Sequence, residues 1–129
     1  MNADKHRLSL NDITERIIGC AYEVSNVLGC EFLEKVYENA LVYELRRSGL
    51  TIKQQHEIEV YYDDIVVGQY VADLLVEGRV LVEIKAVKEF NDVQTAQCLN
   101  YLKATQLPVC LLINFGKPKV QIKRIIADV

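Results

Sequence analysis

Two acidic residues and a lysine interrupt apolar stretches in the middle of the chain. Asp73 lies within the run VADLL, and Glu83 and Lys85 stand on either side of Ile84 in VLVEIKA. Strand residues two positions apart point to the same side, so Glu83 and Lys85 share one face. An unpaired carboxylate in apolar surroundings costs several kcal/mol. We therefore expect a specific interaction to hold the three side chains together.

Two carboxylates on one face form a hard oxygen site of the kind that binds Mg²⁺ or Mn²⁺. A cation bound there would activate water and stabilise charge on a phosphate. Lys85 would orient that water or neutralise the developing charge. The alternative is a salt bridge of Lys85 with Asp73 or Glu83 that serves only the fold. The spacing of the residues leaves both interpretations open.

The loop between the two strands determines whether Asp73 and Glu83 share a face, because cross-strand partners lie on the same side of a sheet. A three-residue loop over 77–79 pairs the two acids, whereas a two-residue turn pairs Asp73 with Val82. Gly78 is free to take the positive φ that such a loop needs. We predict the three-residue loop or a bulge.

Two predicted helices carry polar residues four positions apart, which places each pair on one strip of its helix. Gln97 and Tyr101 can hydrogen-bond a catalytic lysine, a water or a phosphate, although an amphipathic helix edge explains the same spacing. Glu34 and Glu38 form the second pair. There the simpler explanation is a favourable interaction of carboxylates with the start of the helix dipole.

Hydrophobic periodicity predicts the order α-α-β-β-β-α-β-β, a single α/β domain with a mixed sheet flanked by helices. Capping residues set the helix limits, which are Asn11 to Gly29, about Phe32 to Gly49, and a start at Asn91 or Asp92. The strands are expected over 52–62, 65–76, 80–86, 109–115 and 120–126. The segment VCLLINF has few polar residues and should be buried on both faces. Residues 1–9 are expected to form a flexible leader to a domain over 10–129.

The composition limits the functional classes. The 129 residues suit one domain, half of them are hydrophobic, and the net charge is −3. Without an overall basic charge, phosphate contact must come from a local patch, for which the sequence offers Lys117, Lys119, Lys123 and Arg124. The alternative for this patch is a solvated strand edge, where lysines discourage aggregation.

The cysteines and the apolar runs bear on location. Among Cys20, Cys30, Cys98 and Cys110 there is neither a C-x-x-C pair nor a histidine at zinc-ligand spacing. All but Cys30 lie among apolar residues and are expected in the core. No apolar run approaches the ~20 residues of a membrane span, and the first residues lack the apolar stretch of a signal peptide. These features favour a cytoplasmic protein without a membrane partner.

Several segments resemble one protein family. LGCEFLEKVYENAL resembles the signature of the GxxExxY proteins, a small branch of the PD-(D/E)xK nuclease superfamily. The resemblance continues through VADLLVEGRVLVEIKA, AQCLNYL and LLINFG, and it covers nearly the whole chain from about Leu10 to Ile125. One departure is Glu31, which stands where the signature opens with glycine. This change would reshape the loop before the second helix or crowd the site.

The resemblance implies a restriction-endonuclease-like fold and a set of functional residues. In chain order, these are Glu34, Asp73, Glu83, Lys85, Gln97 and Tyr101. The first corresponds to the helix glutamate, the next three to the acid-x-acid-x-lysine core, and the last two to the Gln-x-x-x-Tyr motif of the RecB-like branch. Ile84 would lend its backbone carbonyl to the metal, beside Asp73 and Glu83.

Three functions follow as hypotheses. The full set of polar residues favours a DNA endonuclease or exonuclease that depends on Mg²⁺ or Mn²⁺. The small size and acidic charge favour a catalytically silent nucleic-acid-binding or regulatory module, which would need a homodimer or another partner to hold a duplex. The third is a structural interaction protein whose polar cluster is an ion pair. Cleavage with Mg²⁺ or Mn²⁺, salt-dependent binding and metal titration distinguish the three.

Overall fold

The computed structural model describes residues 8–127 and contains eight elements in the predicted order. The helices are α1 (Leu10–Leu28), α2 (Glu34–Arg47) and α3 (Asp92–Thr105), and the strands are β1 (Ile52–Tyr62), β2 (Ile65–Val76), β3 (Val80–Lys85), β4 (Val109–Asn114) and β5 (Gln121–Ile126). Residues 1–7 of the predicted leader lie outside the described part. Its last two residues contact the domain, since the Leu8 carbonyl accepts a hydrogen bond from Arg79 and Ser9 caps α1.

The start of α1 differs from the prediction, because Ser9 rather than Asn11 caps the helix. The Ser9 hydroxyl accepts a hydrogen bond from the Asp12 backbone N–H at 3.0 Å, and the Asp12 carboxylate accepts one from the Ser9 N–H at 3.1 Å. This reciprocal capping box satisfies two helix-end donors at once, which Asn11 cannot do from inside the first turn. At the other end Gly29, with a φ of 75°, ends α1 as predicted.

The five strands form one mixed sheet in the order β1-β2-β3-β4-β5, in which β3 and β4 run parallel and the other pairs are antiparallel. α3 connects the two parallel strands. α1 and α2 pack on one face of the sheet, against Val80 and Val82, and α3 packs on the other, against Leu81 and Leu112. β4 is buried at every residue, as its sequence predicted. The ends of β3 and β4 therefore lie between two layers of helix.

A hairpin arm, residues 56–72, extends beyond the rest of the sheet. β1 and β2 pair along this whole length, whereas β3 pairs with β2 only from Leu74 to Val76. The arm exposes a set of large apolar side chains, which are Tyr61, Tyr62, Ile65, Val66, Val67, Tyr70 and Val71. Its charged residues are all acidic, namely Glu57, Glu59, Asp63 and Asp64. The arm thus presents a negative surface.

The buried cysteines belong to the layer between α3 and the sheet. Cys98 and Cys110 are buried there, as predicted, while Cys20 is half-buried on α1. Within residues 8–127, no helix is both long and apolar enough to cross a membrane.

Candidate active site

The loop between β2 and β3 has three residues, which is the length that puts Asp73 and Glu83 on one face of the sheet. Val76 pairs with Val80 across the loop, and the Arg79 N–H donates to the Val76 carbonyl at 3.0 Å. Glu77 and Gly78 take φ values of 53° and 65°, which close the loop in the left-handed region. The prediction of a three-residue loop is confirmed.

The regular ladder between β2 and β3 ends at Leu74 and Val82, one step before the two acids. At that step each carboxylate accepts a backbone hydrogen bond from the opposite strand. The Asp73 N–H donates to Glu83 Oε1 at 2.9 Å, and the Ile84 N–H donates to Asp73 Oδ2 at 2.7 Å. The side chains therefore take the place of strand carbonyls, and this exchange fixes both carboxylates at the point where the strands separate.

The carbonyl of Ile84 faces the same gap between β2 and β3. In a strand the N–H and C=O of one residue point to the same edge. Because the Ile84 N–H donates to Asp73, its carbonyl oxygen also points toward β2. The gap is thus bordered by two carboxylates and a carbonyl.

The two acids lack full compensation for their charge. Glu83 is only 4% exposed, and burial, followed by repulsion from Asp73, raises its pKa to about 7. Burial also raises the pKa of Asp73, and this outweighs the hydrogen bond from Ile84 that lowers it. The nearest ion-pair partner, the Lys85 Nζ, lies 3.9 Å from Glu83 Oε2. The cluster therefore favours additional positive charge.

α3 brings Gln97 and Tyr101 to the same region. The Lys85 Nζ donates to Gln97 Oε1 at 3.5 Å, which is at the long end of hydrogen-bond geometry. The Tyr101 hydroxyl donates to the Val71 carbonyl at 3.3 Å. Burial raises the pKa of Tyr101, with further contributions from the charges of Glu83 and Asp73. Gln97 is placed to orient Lys85, and Tyr101 fixes α3 against β2.

The acidic residue that α2 brings to the site is Glu38, whereas the prediction named Glu34. Glu38 is 3% exposed, and its charge raises the pKa values of both Asp73 and Glu83. Glu34 lies one turn earlier and is exposed. The sequence contained a signal for Glu38, because it falls within the buried stripe of α2 with Leu41. A carboxylate in an apolar stripe is the same pattern that singled out Asp73.

Two glutamines on β1 also reach the site, and neither was predicted from the sequence. Gln54 Nε2 donates to Glu38 Oε2 at 2.6 Å, and Gln55 Nε2 lies 3.0 and 2.9 Å from the two Glu38 oxygens. Gln55 Nε2 also lies 3.4 Å from Asp73 Oδ1. In the sequence these glutamines stand in a polar stretch, KQQHE, that resembles a solvent-facing strand. No local pattern distinguishes them from other surface residues.

Tyr37, which matches the tyrosine of the signature that the sequence resembles, belongs to the core rather than to the site. Its ring is fully buried and stacks on Phe115 at 4.7 Å. Its hydroxyl donates to the Gly29 carbonyl at 2.7 Å, which holds the loop before α2. In that loop the left-handed φ occurs at Gly29 and not at Glu31, so the departure from the signature requires no unusual backbone.

The segments that follow β3 and β4 are held together behind Lys85. The buried Asn114 side chain accepts from the Val87 N–H at 3.0 Å and donates to the Val87 carbonyl at 2.8 Å. Gly116 passes so close that an added Cβ would lie 2.5 Å from the Val87 nitrogen. This packing fixes the backbone that carries Lys85.

The four basic residues predicted to form one patch are divided between different surfaces. Lys123 donates to Thr95 on α3, while Arg124 donates to Asn11 on α1, because neighbouring strand residues point to opposite faces. Lys117 forms an ion pair with Glu89 at 2.8 Å. The prediction of one patch is therefore wrong. The loops after β3 and β4, which start beside each other because Lys85 pairs with Asn114, carry Lys88, Lys117 and Lys119.

The donor atoms suit a hard divalent cation, although they are not assembled as a complete ligand set. Within residues 8–127, no three His, Cys, Asp or Glu side chains converge as metal ligands. The amide of Gln55 lies between Glu38 and Asp73 and contacts both carboxylates. Carboxylate and carbonyl oxygens in a buried cluster with little compensating positive charge nevertheless match the preference of Mg²⁺ and Mn²⁺.

Comparisons with known proteins agree with this arrangement. A family profile described as the PD-(D/E)XK nuclease superfamily matches residues 11–125. The chain belongs to this superfamily. The acid pair and the lysine of its name correspond in type and order to Asp73, Glu83 and Lys85. No curated protein matches the chain.

A solved structure of another protein supports the fold. The crystal structure of an alkaline exonuclease (LHK-Exo) from Laribacter hongkongensis is similar at a TM-score of 0.50 and 14% sequence identity. The similarity covers 89% of this chain and 82% of that one. The predicted α/β architecture of restriction-endonuclease type is confirmed. Membership of the GxxExxY branch and the RecB-like motif arrangement stay predictions.

Proposed function

We propose that the chain is a nuclease that depends on a divalent cation, Mg²⁺ or Mn²⁺, and hydrolyses phosphodiester bonds in DNA. The observation that carries this proposal is the gap between β2 and β3. There Asp73 and Glu83 are fixed by backbone hydrogen bonds and left short of positive charge, with Lys85 at 3.9 Å from Glu83. Superfamily membership supports the same chemistry.

In this proposal Asp73, Glu83 and the Ile84 carbonyl hold the cation. When bound, the cation supplies an activated water and stabilises the charge that develops on the phosphate. Lys85 orients the attacking water or donates a hydrogen bond to the phosphate oxygen. Gln97 holds the Lys85 amino group, and Tyr101 keeps α3 against the site.

The charge distribution favours one approach for the substrate. The hairpin arm is acidic and repels a phosphate backbone. The loops after β3 and β4 carry Lys88, Lys117 and Lys119 beside the end of the Lys85 strand. A DNA strand would therefore cross these loops with its phosphates toward Lys85. Because the domain is small, a homodimer or another partner would hold the second side of a duplex.

A second candidate is a nucleic-acid-binding module that no longer cleaves. The separation of Glu38 from Asp73 by the Gln55 amide favours it, because a site of this kind lacks a third converging acid. Such a module would bind DNA with strong dependence on salt, and Asp73→Ala would leave binding unchanged.

The test is cleavage of labelled single- and double-stranded DNA by the purified chain in Mg²⁺, Mn²⁺ or EDTA, with RNA in parallel. We expect cleavage that EDTA abolishes and that Asp73→Asn lowers by at least ~10²-fold, a loss typical of a key electrostatic group. Asp63→Asn, on the exposed tip of the arm, is the matched control and should cleave like wild type. Binding without cleavage in every condition would favour the silent module instead.

A further inference from the structure

One side-chain amide stands between two acids of the site. The Nε2 of Gln55 lies 3.0 and 2.9 Å from the oxygens of Glu38 and 3.4 Å from Asp73 Oδ1. Three carboxylate oxygens from two elements thus surround a nitrogen that has only two hydrogens. The amide nitrogen therefore lies between the carboxylates of Glu38 and Asp73.

The backbone of β1 is shaped to place this amide. Gln55 has a φ of 56° in mid-strand, in the left-handed region that non-glycine residues rarely adopt. The other described non-glycine residues with positive φ, which are Asp63, Glu77 and Gln106, lie in turns or at a helix end. The flanking register, Gln54 with Leu74 and His56 with Ala72, puts Gln55 opposite Asp73. The unusual backbone thus occurs at the residue whose side chain contacts both acids.

We propose that Gln55 is a reversible member of the cation site. Without a divalent cation, its amide N–H groups bridge Glu38 and Asp73 and hold the two charges apart. When a cation enters, the amide turns about its last side-chain bond and presents Oε1 as a ligand. This torsion is broad and nearly two-fold, so the turn needs no change of the backbone. The inference rests on the proposed function, because it assumes that a cation binds at Asp73 and Glu83.

The chemistry of the amide requires such a turn. An N–H donor directed at a divalent cation is repelled by it, whereas an amide oxygen is a common ligand for hard cations. Removing the nitrogen from between the acids also lets Glu38 approach Asp73, and this supplies the third converging carboxylate. If Gln55 had only a structural role, removing its side chain would lower the melting temperature equally with and without a cation.

The experiment measures Mn²⁺ affinity of the full chain by calorimetry and its melting temperature in EDTA and in saturating Mn²⁺, without nucleic acid. Gln55→Ala should weaken Mn²⁺ binding about tenfold, as loss of an auxiliary metal contact typically does. Gln55→Glu keeps the oxygens and loses the donors, so it should melt lower than wild type in EDTA and bind Mn²⁺ at least as tightly. Gln55→Gly removes the side chain while suiting the positive φ, and it should reproduce the loss of affinity in a variant that folds.

Gln69→Ala is the matched control, because Gln69 is an exposed glutamine on β2 that pairs with Glu59 in the hairpin arm and contacts neither acid. Its Mn²⁺ affinity should equal that of wild type. Wild-type Mn²⁺ affinity in both Gln55→Ala and Gln55→Gly would overturn the proposal. A loss of Mn²⁺ affinity in Gln55→Glu as large as that in Gln55→Ala would also overturn it. If wild type binds no Mn²⁺, the proposed nuclease function fails together with this inference. If wild type binds Mn²⁺ and cleaves DNA while the Gln55 variants bind normally, only this inference fails.

Discussion

The buried carboxyl of Glu83 makes the stability of this protein depend on pH in a specific direction. Its pKa is raised from 4.5 to about 7 by burial and by repulsion from Asp73. Between these two values the folded state binds more protons than the unfolded state, so the free energy of unfolding falls as the pH rises. The loss of stability is absent below pH 4.5, the pKa of Glu83 in the unfolded chain, and complete above about pH 7. In the absence of a divalent cation, we expect wild type to lose stability between pH 5 and pH 8.

The size of the effect follows from the two pKa values. A shift from 4.5 to about 7 corresponds to about 3 kcal/mol, since each pKa unit is roughly 1.4 kcal/mol. The loss should be offset by a cation that binds the ionised form. At a hundredfold excess over its Kd, such a cation adds about 2.7 kcal/mol to the free energy of unfolding at pH 8.

Urea unfolding followed by circular dichroism from pH 5 to pH 8, in EDTA and in Mg²⁺, measures both effects. Glu83→Gln removes the titrating group. The free energy of unfolding of wild type, measured relative to that of this variant, should therefore fall by about 3 kcal/mol across that range. Glu57→Gln, on the exposed arm, is the control and should retain the wild-type profile. Parallel profiles for wild type and Glu83→Gln would refute the argument that Glu83 carries the burial penalty.

Three further predictions concern the surroundings of the site. Glu38→Gln should lower the rate of DNA cleavage by at least ~10-fold, whereas Glu34→Gln should leave it near wild type, because only Glu38 is buried beside the acids. Equal effects of the two variants in the same cleavage assay would restore Glu34 as the site residue. Lys85→Met should lower the rate of DNA cleavage by ~10²-fold or more and retain the Mn²⁺ binding measured by calorimetry. Loss of Mn²⁺ binding would mean that Lys85 acts through the cation site. Gly116→Ala should lower the free energy of unfolding in urea by about 1–3 kcal/mol, because its Cβ would lie 2.5 Å from the Val87 nitrogen. An unchanged free energy of unfolding would show that the segments after β3 and β4 separate easily.

The sequence predicted the features that depend on local pattern. Apolar periodicity gave the eight elements in their order, and Gly29 and Asn91 marked helix ends where the structure has them. The loop of three residues before β3 was predictable because the alternation of faces along two strands allows few registers. These features involve residues that are near one another in the chain.

The parts that the sequence left undetermined depend on contacts between distant segments. Gln55 meets Glu38 across 17 positions, and only the folded packing of α2 on β1 brings them together. The choice between Glu34 and Glu38 likewise depends on which turn of α2 faces the sheet, although the buried stripe favoured the latter. The basic residues of β5 were grouped by sequence distance, whereas strand geometry sends Lys123 and Arg124 to opposite faces.

The exchange of strand carbonyls for carboxylates at the end of the β2–β3 ladder gives the protein two built-in reporters. The backbone N–H groups of Asp73 and Ile84 each donate to a site carboxylate rather than to a strand carbonyl. Protonation of these acids, or their capture by a cation, withdraws electron density from the acceptor and weakens the bond to the amide. The nitrogen chemical shifts and hydrogen-exchange rates of these two amides should therefore follow the occupancy of the site directly. A ligand search by NMR can thus begin from two backbone signals, before any substrate is known.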